Sequence, residues 1–205
     1  MATLIFSLAV LLFSVIIHEI AHGAVAYKLG DDTAYRLGRL TLSPLVHIDP
    51  FGSILLPLFL ALPALAGLPT FIVGYAKPVP YDPRFLKHPV RDAGLIAIAG
   101  PASNIVLAMV FMAFLAFMHP SVILAGAFQI IIINNLRLAV FNLIPIPPLD
   151  GSKVLATLLP ARSELIVFLE RHSMTVFVLF ILFGLDIVDF GVRWLYGALM
   201  VLFGV

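Results

Sequence analysis

Long apolar stretches alternate with short polar segments along the chain. Residues 2–27 carry only His18, Glu19 and His22 as charged or imidazole side chains, and residues 93–136 carry no charged side chain. At 1.5 Å per residue the first stretch would form a helix of about 39 Å, which exceeds the roughly 30 Å of a bilayer's hydrocarbon core. The pattern predicts a first membrane-spanning helix with ionisable groups near its C-terminal end.

Further helices follow from the same pattern. His119 and Pro120 interrupt the longest apolar run, because proline ends or kinks a helix. The pattern predicts four helices after the first, over residues 93–118, 121–144, 165–185 and 192–204. We therefore expect an all-α polytopic membrane protein with about five transmembrane helices. Residues 1–160 would form its core, and residues 161–205 would add C-terminal helices to the same domain.

Residues 51–75 are apolar, but prolines at 57, 63 and 69 interrupt a continuous helix. Basic side chains cluster after the first helix, before residue 93 and after residue 144, at Lys28, Arg36, Arg39, Lys77, Arg84, Lys87, Arg91, Lys153, Arg162 and Arg171. Since basic loops lie on the cytosolic side of membranes, all three clusters are expected there. This predicts that residues 51–75 enter and leave on one side as a re-entrant hairpin. The alternative, a full crossing, would place four basic residues outside.

Residues 31–50 differ from the apolar stretches around them. Tyr35, Leu37, Arg39 and Thr41 alternate with smaller or apolar neighbours, and glycine and proline punctuate the segment. Such alternation is typical of short β-strands with turns. We therefore expect a small membrane-associated β-sheet here, and the alternative is a solvated connecting loop.

Composition supports a membrane protein and excludes several other classes. The chain is 62% hydrophobic and 11% charged, whereas ordinary soluble domains carry about 25% charged residues. Its formal net charge of +1 provides no basic surface for nucleic acid. The absence of cysteine from the sequence excludes disulfides, thiolate metal sites and thiol catalysis.

The sequence His-Glu-Ile-Ala-His at residues 18–22 carries the clearest chemical signal. On a helix, residues four apart lie on one face, so His18 and His22 can bind one metal ion at about 2.0–2.1 Å. Glu19 is placed to take a proton from water activated by that metal. Ionisable groups so close together in a membrane helix are costly unless they have a function. The pattern therefore predicts a zinc site.

A catalytic zinc site usually has three protein ligands and one open position, so a third ligand is needed. Candidate histidines and aspartates lie elsewhere, at His47, Asp49, His88, His119, His172, Asp186 and Asp189. Asp150 differs from these because it follows three prolines and precedes Gly151, in an irregular segment at membrane depth. Such backbone is tolerated where it lines a protein-enclosed or water-filled cavity, which suits a carboxylate ligand.

Three motifs occur in order: the zinc motif at 18–22, Gly-Pro-Ala-Ser-Asn at 100–104, and the segment 142–151. In that order they resemble the signature of the site-2 protease family of intramembrane zinc metalloproteases. The resemblance covers about residues 1–160 and corresponds to a minimal form without PDZ or CBS domains. It implies one zinc ion per chain, with His18, His22 and Asp150 as ligands, Glu19 as general base, and Asn104 and Asn142 lining the substrate groove.

The implied substrates are transmembrane proteins or peptides in the lipid bilayer, and the enzyme would be a multi-pass cell-membrane protein with its active site near the cytosolic side. Scissile carbonyl groups in a transmembrane helix are hydrogen-bonded, so a substrate segment must be unwound and held extended. Strand addition to an exposed edge would replace the lost hydrogen bonds. This gives the predicted strands in residues 35–48 a role beside the site, together with the amides of Asn104 and Asn142.

Another class of function could use the same residues. A membrane zinc transporter or a non-proteolytic metal-binding scaffold would hold zinc with these ligands without hydrolysis. A transport path would be expected to offer ligands across the whole bilayer. Here the ligand types concentrate at one depth, next to a glutamate, so the pattern favours proteolysis.

Overall fold

Helices form the framework of the molecule. The computed structural model describes residues 2–49, 77–160 and 163–204, together with residues 55, 59 and 62. In chain order the helices are α1 (Ala2–Lys28), α2 (Thr33–Arg36), α3 (Pro89–Phe117), α4 (Val122–Leu143), α5 (Asp150–Leu158), α6 (Glu164–Arg171), α7 (Ser173–Phe183) and α8 (Leu185–Phe203). Two short 3-10 helices cover Pro44–Val46 and Pro83–Phe85.

Three helices are long and apolar enough to cross a membrane, namely α1, α3 and α4. Helices α6 and α7 form a fourth candidate together, but they meet at 81°, as in a broken span or a re-entrant loop. The prediction of about five transmembrane helices is therefore too high for the residues that the structure describes. His172 interrupts the helix predicted over 165–185, and α8 carries charged residues at Asp186, Asp189 and Arg193.

Helix α8 nevertheless packs along the bundle. Near its start, Asp189 Oδ1 lies 3.8 Å from Nη2 of Arg137 on α4. At its end, the ring of Phe203 lies 6.4 Å from the ring of Phe117, where α3 ends. The helix begins at Leu185, earlier than the predicted start at residue 192. Its contacts therefore extend from Arg137 in α4 to Phe117 at the end of α3.

The break between α3 and α4 lies where the sequence predicts it. α3 ends at Phe117, His119 has a positive φ of 46°, and α4 begins two residues after the proline that follows. Proline has no backbone N–H and clashes with the preceding turn, so a helix cannot continue through it undisturbed. The helices predicted over 93–118 and 121–144 are confirmed, apart from an additional first turn in α3.

The predicted β-sheet in residues 31–50 is wrong. The described part of this segment contains α2 and a 3-10 helix, and no strand occurs in the described residues. The Asp31 carboxylate accepts hydrogen bonds from the backbone N–H of Thr33, over 3.0 Å, and from its hydroxyl, over 2.5 Å. Such local bonds from a side chain to the backbone compete with strand pairing. The chain therefore turns into a helix directly after α1.

A glycine ends this short helix and explains the misleading alternation. Gly38 has a φ of +64°, and its N–H donates to the carbonyl oxygen of Tyr35 over 2.9 Å. The N–H of Arg39 donates to the carbonyl oxygen of Ala34, also over 2.9 Å. This pair of bonds is a Schellman motif, which favours glycine at the left-handed position. The alternation of large and small residues thus belongs to a helical turn and its cap.

The predicted re-entrant hairpin at residues 51–75 lies outside the described residues. The segments that border it meet at the C-terminal end of α1. The N–H of Lys77 donates to the carbonyl oxygen of His47 over 2.9 Å. The N–H of Asp82 donates to Asp31 Oδ2 over 2.6 Å. The basic segment 77–91 therefore begins beside the loop that follows α1.

Two apolar clusters hold the helices together. The larger one lies between α3, α4, α7 and α8 and includes Met112, Leu136 and Phe180. The smaller one joins the end of α1 to the start of α3 through Ala26 and Ile96. Since α1 and α3 are fixed to each other there, the residues of the zinc motif face the middle of α3.

Candidate metal centre

His18 and His22 lie one turn apart on α1 and face the interior of the bundle, with exposed fractions of 5% and 9%. Asp150 begins α5, and its Oδ2 lies 3.1 Å from Nε2 of each histidine. The two Nε2 atoms are 3.0 Å apart. The structure thus brings together the three residues that the sequence predicts as ligands. They form the one group of potential metal-binding side chains found in the described residues.

Hydrogen bonds at the other ring nitrogens show which atoms carry protons. His22 Nδ1 lies 2.6 Å from the backbone carbonyl oxygen of Ile96, which can only accept, so this nitrogen donates. His18 Nδ1 lies 2.7 Å from Oδ1 of Asn104, and the Asn104 amide nitrogen donates to the Ser14 carbonyl oxygen over 3.3 Å. His18 Nδ1 is therefore also a donor. In neutral imidazoles this leaves a lone pair on each Nε2.

The Nε2 lone pairs of His18 and His22 and Oδ2 of Asp150 therefore converge on one point between the three side chains. Electron-pair donors at such distances repel one another unless a cation lies among them. The triangle that they form has sides of 3.0 to 3.1 Å. One face of a tetrahedron with metal–ligand bonds of about 2.0 Å has sides of about 3.3 Å. The residues present therefore fit a zinc ion with little movement.

Gly100 on α3 leaves room beside the imidazoles. A Cβ atom at this position would lie 2.5 Å from Nε2 of His18 and 2.5 Å from Nε2 of His22. Protein interiors are close-packed, so even one added methyl group there would displace the rings or fill the space that they surround. The glycine that opens the middle motif is thus explained by access to the ligand atoms.

Asp150 is presented by the irregular segment after α4. That helix ends at Leu143, and prolines between residues 145 and 148 prevent its continuation. Gly151 belongs to the first turn of α5, where a Cβ atom would collide with the backbone carbonyl oxygen of Leu143. Glycine is therefore needed here for a close approach between two helices rather than for its backbone angles.

Asn104, on α3, orients the first histidine. Its side chain is completely buried and contacts His18 Nδ1 through Oδ1. Its amide nitrogen donates to the Ser14 carbonyl oxygen and, over 2.9 Å, to Oδ1 of Asn135. Groups that hold the second nitrogen of a ligating histidine fix its tautomer and ring orientation. The predicted contact of Asn104 with substrate stays a prediction, and these bonds give it a role beside His18.

Asn142 lies near the end of α4 and is half-buried. Its amide nitrogen donates to the carbonyl oxygen of Leu138 over 3.0 Å. Its predicted role in substrate binding also stays a prediction. The other candidate ligands lie apart from the metal centre; His47, for example, donates from Nε2 to the carbonyl oxygen of Thr41 over 2.9 Å.

Glu19 contacts the extended segment before α3. Its Oε2 accepts a hydrogen bond from the backbone N–H of Val79 over 2.7 Å. The sequence pattern did not predict this contact. A signal for it exists, because Pro78 and Pro80 flank Val79 and leave it as a lone backbone donor between them. Such a spacing indicates an extended segment that presents one N–H group.

Comparison with known proteins agrees with this chemistry. The family model for Peptidase family M50 matches residues 6–130 and 120–185. "Putative zinc metalloprotease YwhC" of Bacillus subtilis is 43% identical over 159 residues, which cover 73% of this chain. "Putative zinc metalloprotease Rip2" of Mycolicibacterium smegmatis is 31% identical over 142 residues, which cover 68% of this chain. "Putative zinc metalloprotease MJ0611" of Methanocaldococcus jannaschii is 35% identical, also over 142 residues and 68% of this chain.

The aligned regions cover 67%, 52% and 63% of these three relatives, so the chain spans about half to two thirds of their length. No solved structure matches the chain significantly. The family match runs through all the helices that carry the converging ligand atoms. The chain therefore belongs to peptidase family M50, the site-2 protease family, whose members in this comparison are named as zinc metalloproteases.

Proposed function

We propose that the protein hydrolyses peptide bonds within or next to transmembrane segments of other membrane proteins. His18, His22 and Asp150 hold the zinc ion in this proposal, and Glu19 is the general base. The observation that carries it is the convergence of three electron-pair donors inside a bundle of membrane-crossing helices. A metal held there can act on chains that enter the membrane.

The chemistry follows from the residues around that point. When bound, zinc polarises a carbonyl oxygen and lowers the pKa of water, which makes peptide hydrolysis accessible at neutral pH. Glu19 takes the proton of the attacking water and returns it to the leaving amine nitrogen. The N–H of Val79 fixes Glu19 Oε2, so the other carboxylate oxygen is left to accept that proton.

Substrate binding is the part of the proposal that involves the two asparagines. A substrate helix must lose backbone hydrogen bonds before hydrolysis, and the enzyme must replace some of them. Asn142 is half-buried at the end of α4, so its amide is accessible to an unwound segment. Asn104 is completely buried, and it supports the site by orienting His18.

The active site is proposed to open towards the cytosol. Lys28 and the basic segment 77–91 lie at the same end of the bundle, since Asp31 binds the N–H of Asp82. Basic loops are retained on the cytosolic side. In this cysteine-free chain, Lys87→Cys should be protected from an impermeant thiol reagent in intact cells, whereas Val122→Cys, 90% exposed at the opposite end, should be labelled. The reverse labelling pattern would show that the protein has the opposite orientation in the membrane.

The decisive experiment uses Glu19→Gln in the purified protein. This change keeps the side chain's size and removes its basicity, so zinc content should be retained while cleavage of a membrane-spanning peptide falls by about 10²–10⁴-fold. A metal transporter would show no cleavage in the parent protein. Cleavage by Glu19→Gln at the parent rate would exclude Glu19 as the general base.

A further inference from the structure

The extended segment 77–82 lies beside Glu19 and is fixed by side chains outside the metal centre. We propose that Arg39 is a positioning residue for Glu19. Its guanidinium holds this segment where the N–H of Val79 binds the Glu19 carboxylate. This inference rests on the proposed role of Glu19 as general base, and it assigns a function to a buried cation that the sequence pattern placed in a strand.

The segment offers Glu19 one donor. Pro78 and Pro80 have no backbone N–H, so Val79 is the residue between them that can donate. Val79 is 7% exposed, which limits replacement of the bond by water. The orientation of the Glu19 carboxylate therefore depends on the position of this one peptide group.

Arg39 binds the other side of the same peptide group. Its Nη2 donates to the carbonyl oxygen of Pro78 over 3.2 Å and to that of Lys77 over 2.7 Å. The Pro78 carbonyl and the Val79 N–H belong to one planar unit. A cation on the oxygen side and a carboxylate on the N–H side both polarise that unit in the same sense, which strengthens each hydrogen bond. Arg39 thus acts on Glu19 through a single peptide bond.

The guanidinium also ties the segment to the loop after α2. Its Nη1 donates to the carbonyl oxygen of Val46, and Arg39 is 7% exposed. A buried charge is costly unless it is well hydrogen-bonded, so the side chain is held in this arrangement. The next residue in the loop, His47, accepts the N–H of Lys77 over 2.9 Å. The start of the segment is therefore fixed at two points.

A buried carboxylate fixes the other end. Asp31 is fully buried, and its Oδ2 accepts the N–H of Asp82 over 2.6 Å. Its Oδ1 is used by Thr33, so both carboxylate oxygens have partners. Because both ends are held, Val79 cannot shift along α1 without breaking hydrogen bonds to buried charges.

Gly23 permits the close approach that this arrangement needs. It lies one turn after Glu19 on α1, where a Cβ atom would be 2.8 Å from Cγ1 of Val79 and 2.5 Å from Cδ2 of Leu40. A larger residue would force the side chains of Leu40 and Val79 to move and would crowd the segment from the side of the helix. Glycine at this position and the proline pair around Val79 thus serve the same contact.

The test measures kcat, KM and zinc content on the purified full chain with a membrane-spanning peptide. Arg39→Gln should lower kcat on the order of 10- to 100-fold, the size of effect caused by a small misplacement of a catalytic group. KM and zinc content should stay within about twofold, since the ligands are untouched. Arg39→Lys should restore part of kcat. Arg36→Gln, which removes an exposed guanidinium paired with Asp32, is the matched control and should keep the parent kcat.

A double-mutant cycle shows whether Arg39 acts through Glu19. Once Glu19→Gln has removed the base, adding Arg39→Gln should cost little more, because residues that act as a unit are not additive. An equal loss in both backgrounds, or a parent kcat in Arg39→Gln, would overturn the inference. Cleavage by Glu19→Gln alone at the parent rate would instead overturn the proposed function, so the two failures are distinguishable.

A second variant covers the case in which Arg39→Gln does not fold. Gly23→Ala keeps every hydrogen-bonding group and displaces the segment only by crowding. It should lower kcat while zinc is retained. Gly126→Ala, also in a membrane helix but with open space around it, should leave kcat unchanged. A parent kcat in Gly23→Ala would contradict the proposal.

Discussion

The region of the molecule that carries the metal centre and the region formed by α6 to α8 are stabilised by different interactions. In the first, buried polar side chains such as His18, Asn104 and Asn135 are joined by hydrogen bonds. In the second, the described residues that are buried are apolar, for example Phe180 and Val192. Polar groups of α8 lie on its exposed surface.

This difference predicts different responses to substitution. Hydrogen bonds depend on direction and distance, and a buried group that loses its partner keeps the full cost of desolvation. Apolar packing is less directional and adapts to changes of similar volume. Small changes near the metal centre should therefore have large effects on function, and changes of similar size in α8 should have small ones.

The largest effect is expected for Asp150→Ala. Zinc content should fall from about one ion per chain and cleavage should be lost, because two imidazoles alone bind a metal less tightly than three ligands. Asp186→Ala, at an exposed position of α8, should keep both properties and is the matched control. Zinc can be measured by elemental analysis of the purified protein. Full zinc content and activity in Asp150→Ala would remove Asp150 from the site.

A single methyl group should have an effect nearly as large at Gly100. Its Cβ would lie 2.5 Å from both ligand nitrogens, so Gly100→Ala should lose most of its zinc and activity. The same substitution at Gly126 meets no atom within 4 Å and should be neutral or slightly stabilising, since alanine favours helix formation. Equal zinc content in the two variants would contradict the close contact.

A smaller loss is expected for Asn104→Ala. Removing the group that orients a ligating histidine typically weakens metal binding by about 10- to 100-fold. Competition with a chelator measures this change directly. Asn134→Ala, which removes a hydrogen bond to Ser7 away from the ligands, is the control. If both variants bind zinc equally well, Asn104 does not position His18.

The smallest effect is expected for Arg137→Gln. Its partner Asp189 is 3.8 Å away, and both side chains are more than half exposed. Exposed ion pairs contribute under about 1 kcal/mol, so the free energy of unfolding should change little and zinc content should not change at all. A thermal melt in detergent, with zinc measured alongside, checks both. A large loss of zinc would show that the two regions are coupled.

The convergence of His18, His22 and Asp150 was predictable because the information is local. His18 and His22 share a helix face by their spacing, and Asp150 follows three prolines, which together disfavour a continued helix. The break after Phe117 was predictable for the same reason. The position of Gly100 against the imidazoles was not, because it depends on how α1 packs on α3, and a sequence pattern does not specify that distance.

The predicted strands failed because alternation of side chains does not exclude a helical turn. Asp31 and Gly38 decide the conformation through one side-chain cap and one left-handed residue. The predicted number of spans is too high because the hydrophobicity of a long stretch does not reveal the bend at His172 or the effect of the charged residues in α8. The contact between Glu19 and Val79 was not predicted because the two residues are 60 positions apart in the sequence and meet only in the folded chain.

The proline pair around Val79 affects how the extended segment can align along α1 when the chain folds. If the extended segment slipped by one residue in either direction along α1, a proline nitrogen would face Glu19 in place of an N–H group. The misaligned state would leave a partly buried carboxylate without this donor, at a cost of about 1–3 kcal/mol. Neighbouring registers therefore cannot substitute for the native one, and the alignment of this segment is selected by two residues that have no backbone N–H to donate to the carboxylate.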